Sequence, residues 1–177
     1  ECGKYQAHTG TSTLLWLSNY IEAGFTSWDL ADHYGPTEDF MGDFNANWLL
    51  CGEDALSGIQ AFTKWVPQPG PMTHQIVENN VNVSLQRMGV ETLDLLQFHC
   101  WEYEDADILM PLLIGTVKNE GKIRHLALTN FDTEHLRRIS DQGVRVVSNQ
   151  VQYSLIDRRP MIHMARYCQE HDIKLLA

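Results

Sequence analysis

From Thr11 onward the chain alternates two kinds of segment with little filler, and this alternation restricts its fold more than any other feature. The runs "FTSWDLA", "GIQAFTK", "LDLLQFH", "KIRHLALTN", "VRVVSNQ" and "IKLLA" are short and largely apolar, as strands covered on both faces are. Helix-like stretches separate them. "STLLWLSNYIEAG" is stopped by Gly24. "MTHQIVENNVNVSLQRMG" puts Val77, Val81, Leu85 and Met88 on one face, with Thr73 to cap its start and Gly89 its end. "ADILMPLLIGTVKNEG" is interrupted by Pro111, "TEHLRRISDQG" is capped by Asp132, and "RPMIHMARYCQEHD" carries Pro160 in its first turn. "MGDFNANWLLCGEDALSG" is the least regular stretch and reads as a partly helical loop.

Alternating units of about 30 residues predict a parallel α/β sheet, either open and doubly wound or closed as a barrel. No interdomain linker or low-complexity tract divides the chain, so residues 1–177 are expected to form a single domain.

A formal net charge of -10 argues against a nucleic-acid partner, which usually calls for a basic face. No stretch reaches the roughly 18 uninterrupted apolar residues of a membrane span, and the expected setting is cytoplasmic. Cys2, Cys51, Cys100 and Cys168 are scattered without a CxxC pair, so reduced thiols are expected rather than a zinc site or a disulfide framework. No metal is implied.

The apolar runs stop at Asp29, Lys64, His99, Thr129-Asn130 and Gln150, and Tyr34 follows the first of them across a Gly35-Pro36 turn. In parallel α/β folds the carboxyl ends of all strands share one face, so residues about 20 to 35 positions apart would converge. Singly, each has a plain structural reading as a hydrogen-bonded strand end. Together an aspartate, a tyrosine, a lysine and a histidine make a set that can move protons. A free tyrosine gives up its proton only near pH 10, and an adjacent ammonium favours phenolate. Lys64 can supply that charge, and a carboxylate such as Asp29 is what a partly buried ammonium needs. His99 would then orient a carbonyl oxygen toward Tyr34.

These residues resemble those of the aldo-keto reductases. "GFTSWDLADHYG" is similar to that family's Asp-x-Ala-x-x-Tyr-Gly stretch, "FTKW" to its lysine strand and "LDLLQFHCWEY" to its histidine strand. "LALTNF" and "VVSNQVQYS" resemble the two stretches that hold the nicotinamide carboxamide. The resemblance implies a (β/α)8 barrel, a bound NADP or NAD, and reduction of a small carbonyl substrate. It implies Tyr34 as general acid, Lys64 and Asp29 as its tuning pair, His99 as the carbonyl-orienting group, and Thr129, Asn130 and Gln150 as cofactor contacts. Trp65 and Trp101 would line the substrate pocket.

Only six strands are legible, ending near Ala31, Lys64, His99, Thr129, Ser148 and Ala177, so the expected fold is an incomplete barrel. A missing C-terminal segment or a further copy in a homo-oligomer would complete it. The rival from another class is a non-enzymatic binding or regulatory module that keeps the barrel without turnover.

Overall fold

The structure, a computed structural model, describes residues 11–49, 58–68, 70, 73–99, 111, 114–115 and 118–177. Helix α1 (Thr11–Glu22) leads into β1 (Ser27–Asp29), α2 (Thr37–Leu49), β2 (Gln60–Trp65), α3 (His74–Met88) and β3 (Leu93–His99). Then come β4 (Ile123–Thr129), α4 (Thr133–Asp141), β5 (Val146–Gln150), a 3-10 turn (Arg159–Met161), α5 (Met164–Glu170) and β6 (Lys174–Leu176). Of the segment between β3 and β4, the described residues Pro111, Ile114, Gly115, Lys118 and Asn119 are helical.

All six strands are parallel and their order in the sheet, β1-β2-β3-β4-β5-β6, is their order in the chain. A doubly wound sheet reverses its order at a switch point, whereas a barrel does not. Packing agrees. Ala61, Trp65, Leu96, Phe98, Leu126 and Leu128 share one face and form a single core with Val77 and Val81 of α3, Leu136 and Ile139 of α4, and Met164 and Tyr167 of α5. The fold is an incomplete (β/α)8 barrel of six strands, with helices outside and the opposite strand face turned to the lumen.

The end signals read from the sequence hold in several places. Thr73 caps α3 by accepting from Ile76 N–H, and Gly89 closes it in the left-handed conformation (φ 63°). Val77, Val81 and Met88 are buried and Leu85 packs at the core edge. Asp132 caps α4 through His135 N–H. Cys168 is a free, buried thiol, pushed above its ordinary range by burial. Cys2, Cys51 and Cys100 lie outside the described residues.

Two elements differ from expectation. The segment beginning at Met41 is regular helix as far as Leu49, because Met41 and Phe44 bury against the core and Asn45 Nδ2 donates to Met88 O at 2.9 Å. Tertiary packing there overrides weak local propensity. Gly42 resembles a helix breaker but serves the packing: a Cβ at that position would stand 2.0 Å from Arg87 O. The helix expected from Arg159 is instead a 3-10 turn followed by α5, since His163 (φ -136°) leaves helical geometry and its carbonyl accepts the first α5 bond, from Tyr167 N–H at 3.0 Å.

Candidate active site

Strand pleating sends alternate residues to opposite faces. In β2 that puts Thr63 and Trp65 toward the helices and Lys64 toward the lumen. In β3 it gives Leu96 and Phe98 to the core, and Gln97 and His99 to the lumen. Register aligns Lys64 with Gln97 and His99 with Thr129, and Thr129 in turn with Gln150. The lumen face therefore collects polar groups from strand after strand at its carboxyl end.

Asp29 is their meeting point. Its Oδ2 accepts from Lys64 Nζ at 2.5 Å and from Gln150 Nε2 at 3.1 Å, and its Oδ1 accepts from Gln97 Nε2 at 2.6 Å. Lys64 is 2% exposed and Asp29 about two-fifths exposed, so the pair sits at the boundary of the lumen rather than sealed within it. The lysine also donates to Leu30 O at 3.2 Å, and its ammonium lies over the Tyr34 ring, 5.3 Å from the centroid. Such a placement is attractive because the ring face is negative.

Local sequence fixes Tyr34. Tyr34 N–H bonds Ala31 O at 3.2 Å, and Gly35 takes a left-handed φ of 62° that few other residues tolerate. Chain beyond β1 stays on β2, with Leu30 N–H on Phe62 O and Asp32 N–H on Lys64 O. At the start of α2 the buried Glu38 accepts from Thr63 Oγ1 at 2.6 Å and pairs with Arg87 of α3 at 3.3 Å. These contacts anchor the loop on both sides. The phenol itself remains half exposed, at 47%.

His99 is buried, and Asn130 Nδ2 lies 2.9 Å from its Nε2. Burial first, then the charges of His33 and Lys64, push the imidazole below its ordinary 6.5, against an opposing pull from Asp32. A neutral ring with Nε2 accepting from the Asn130 amide is consistent with that contact. His33 sits beside the site, its ring 4.8 Å from that of Tyr34 and 6.3 Å from that of His99, with Nδ1 2.9 Å from Asp32 Oδ1.

Asn130 has φ 66°, a conformation in which asparagine is the commonest non-glycine residue, and its N–H bonds Gln150 O at 2.8 Å. Two carboxamides, Asn130 and Gln150, thus stand at the rim. Each offers a donor and an acceptor, the pattern that pairs with another carboxamide, so this set fits a nicotinamide headgroup. Thr129 Oγ1 is turned away from the rim, donating to Gln97 Oε1 at 3.3 Å.

Asp29, Tyr34, Lys64, His99, Thr129, Asn130 and Gln150 are thus gathered in one region. Trp65 is not among them: it is buried on the helix side against Phe98, ring centroids 5.9 Å apart. Trp101 lies outside the described residues. Sequence reading passed over Gln97, a glutamine inside an apolar strand; its spacing of two from His99, which assigns both to one face, is the signal that finds it. Among the described residues no group of histidine, cysteine and carboxylate side chains could hold a metal ion.

Parallel βα units in chain order, with polar side chains gathered at the carboxyl ends of the strands, define the (β/α)8-barrel class. Residues 4–177 match the model of the Aldo/keto reductase family, and the chain belongs to that family. It is 28% identical over 177 residues to the aldo-keto reductase yakc of Schizosaccharomyces pombe, a match covering 90% of this chain and 49% of the relative. A second relative, the NADH-specific methylglyoxal reductase of Escherichia coli, is 26% identical over 58% of this chain and 32% of its own length.

Among solved structures, a thermostable aldo-keto reductase crystallised with epalrestat superposes with a TM-score of 0.82 at 21% identity, covering 99% of this chain and 62% of that one. The glycerol dehydrogenase of Gluconobacter oxydans gives 0.77 at 21% identity, over 99% of this chain and 56% of that one. The chain spans about half the length of several curated relatives it matches. Among the described residues no helix is long and apolar enough to cross a membrane.

Proposed function

We propose that the protein to which this chain belongs reduces an aldehyde or ketone to an alcohol, with Tyr34 delivering the proton. The observation that carries this reading is the Lys64 ammonium, held by Asp29 at 2.5 Å and placed over the Tyr34 ring. A nearby cation favours the phenolate that remains once the proton has left. Asp29 keeps the cation in place, since a buried ammonium without a carboxylate is expensive. Tyr34 is exposed enough to meet a substrate, and Lys64 is not.

A nicotinamide cofactor, NADP or NAD, supplies the hydride when bound. Both choices have support, one relative being named for NADP(+) and another as NADH-specific. Asn130 and Gln150 would hold the carboxamide, with Thr129 behind them. With Asn130 turned toward that group, the neutral His99 ring in its Nε2-protonated tautomer would be free to donate to the carbonyl oxygen and orient it toward Tyr34. The setting proposed for this reaction is the cytoplasm.

The test replaces Tyr34 with Phe in the full-length protein and follows carbonyl-dependent oxidation of NADPH and NADH. A loss of at least about 100-fold in kcat, with cofactor affinity retained, is expected from removing a general acid. Reduction at near wild-type rate would remove Tyr34 from the role.

A further inference from the structure

Three donors converge on Asp29, yet the ion pair with Lys64 needs only one carboxylate oxygen. Oδ1, the oxygen that Lys64 does not use, is held by Gln97 at 2.6 Å, and Gln97 is fully buried at 0% exposure. Its amide orientation is dictated by chemistry: an ionised carboxylate only accepts, so Nε2 must face Asp29 and Oε1 must face Thr129, whose hydroxyl then has to donate. The 3.3 Å Thr129 contact closes that chain. A polar side chain in the middle of an apolar strand carries a desolvation cost, which these two bonds offset.

We infer that Gln97, braced by Thr129, is a positioning residue for the proposed reduction: it fixes the Asp29 carboxylate so that Oδ2 is aimed at Lys64 and the ammonium stays over Tyr34. The inference rests on the reading of Tyr34 as proton donor and extends it to two residues that touch no reacting atom. It also gives Thr129 a task different from a direct cofactor contact. Without Gln97 the half-exposed carboxylate would turn toward the open mouth, carrying the ammonium with it.

The experiment compares Gln97→Met, close in volume but without the amide, with Gln97→Glu in the full-length protein. For Gln97→Met, a fall in kcat of about 10- to 100-fold is expected, the scale of a misplaced reacting group. KM for the carbonyl should change by less than about threefold, because ground-state binding is untouched. Gln97→Glu sets a second carboxyl against Asp29. Two such groups share a proton, so the pH profile of kcat should gain an acid-side ionisation absent from the wild type. A residue that only fills space would lower activity evenly across pH. Turnover of Gln97→Met within about twofold of wild type, or a Gln97→Glu profile of unchanged shape, would overturn the inference.

A second readout does not depend on activity. In the wild type the Gln97 side-chain NH2 should give split, slowly exchanging 15N–1H signals, and Asp29→Asn, which removes the charge from the acceptor, should move them. Signals unmoved by Asp29→Asn would refute the clamp even in an active enzyme. Should the wild type reduce no carbonyl while these signals respond, the proposed function fails and the Gln97–Asp29 clamp stands.

Discussion

The two faces of one sheet carry opposite chemistry. On the helix side, Leu96, Phe98, Leu126 and Leu128 are at most 1% exposed and belong to one apolar core. On the lumen side, their immediate neighbours Gln97 and Thr129, together with Lys64 and Gln150, bond to Asp29 or to one another, and His99 meets Asn130. The same backbone serves both, since a step of one residue changes the face. Stability is thereby concentrated on one side of each strand and chemistry on the other, and substitutions at adjacent positions should have separable effects.

Phe98→Ala tests the apolar face and should have the largest effect on folding. Removing that side chain from a close-packed core should lower unfolding free energy by about 3–5 kcal/mol, measured by denaturant titration. On the neighbouring strand, Lys64→Met should break the pattern in the opposite sense. Turnover should fall about 100-fold or more as the cation beside Tyr34 is lost, while the denaturation midpoint moves far less than for Phe98→Ala. A loss of stability equal to that of Phe98→Ala would show that the lumen network also holds the fold together.

Asp132→Ala, at the start of α4, should cost about 1 kcal/mol through the lost cap, with a far smaller loss of turnover than Lys64→Met. The smallest effect is a pH dependence on the polar face. His99 titrates below 6.5 when folded, so the unfolded chain binds the proton more readily. Its contribution to stability is complete above 6.5 and is lost as pH falls through the lower folded value. His99→Gln should flatten the stability curve in that window; an unchanged slope would place the titration on another group.

Much of the fold was legible because period and punctuation agreed. Thr73, Gly89 and Asp132 mark helix ends where the structure has them. The α2 segment was not legible beyond Met41: Gly42, Asn45 and Asn47 argue locally against a helix, and only the distant backbone of Arg87 and Met88 explains why glycine and asparagine belong there. For the site, the shared carboxyl ends of parallel strands sufficed to bring Asp29, Lys64 and His99 into one region. Trp65 escaped that logic because a residue next to Lys64 in sequence faces away from it in space. Gln97 was overlooked for the converse reason, since a residue two steps from a strand end shares its face without being the end.

The left-handed backbone of Asn130 makes that position intolerant of change. Glycine would keep the backbone and forfeit the amide, while aspartate would keep the outline and set an anion against His99. Leucine or valine would strain the turn outright. Shape and chemistry are met together there by a single residue type, so the rim at position 130 should be far less free to drift than the solvent-facing turns around it.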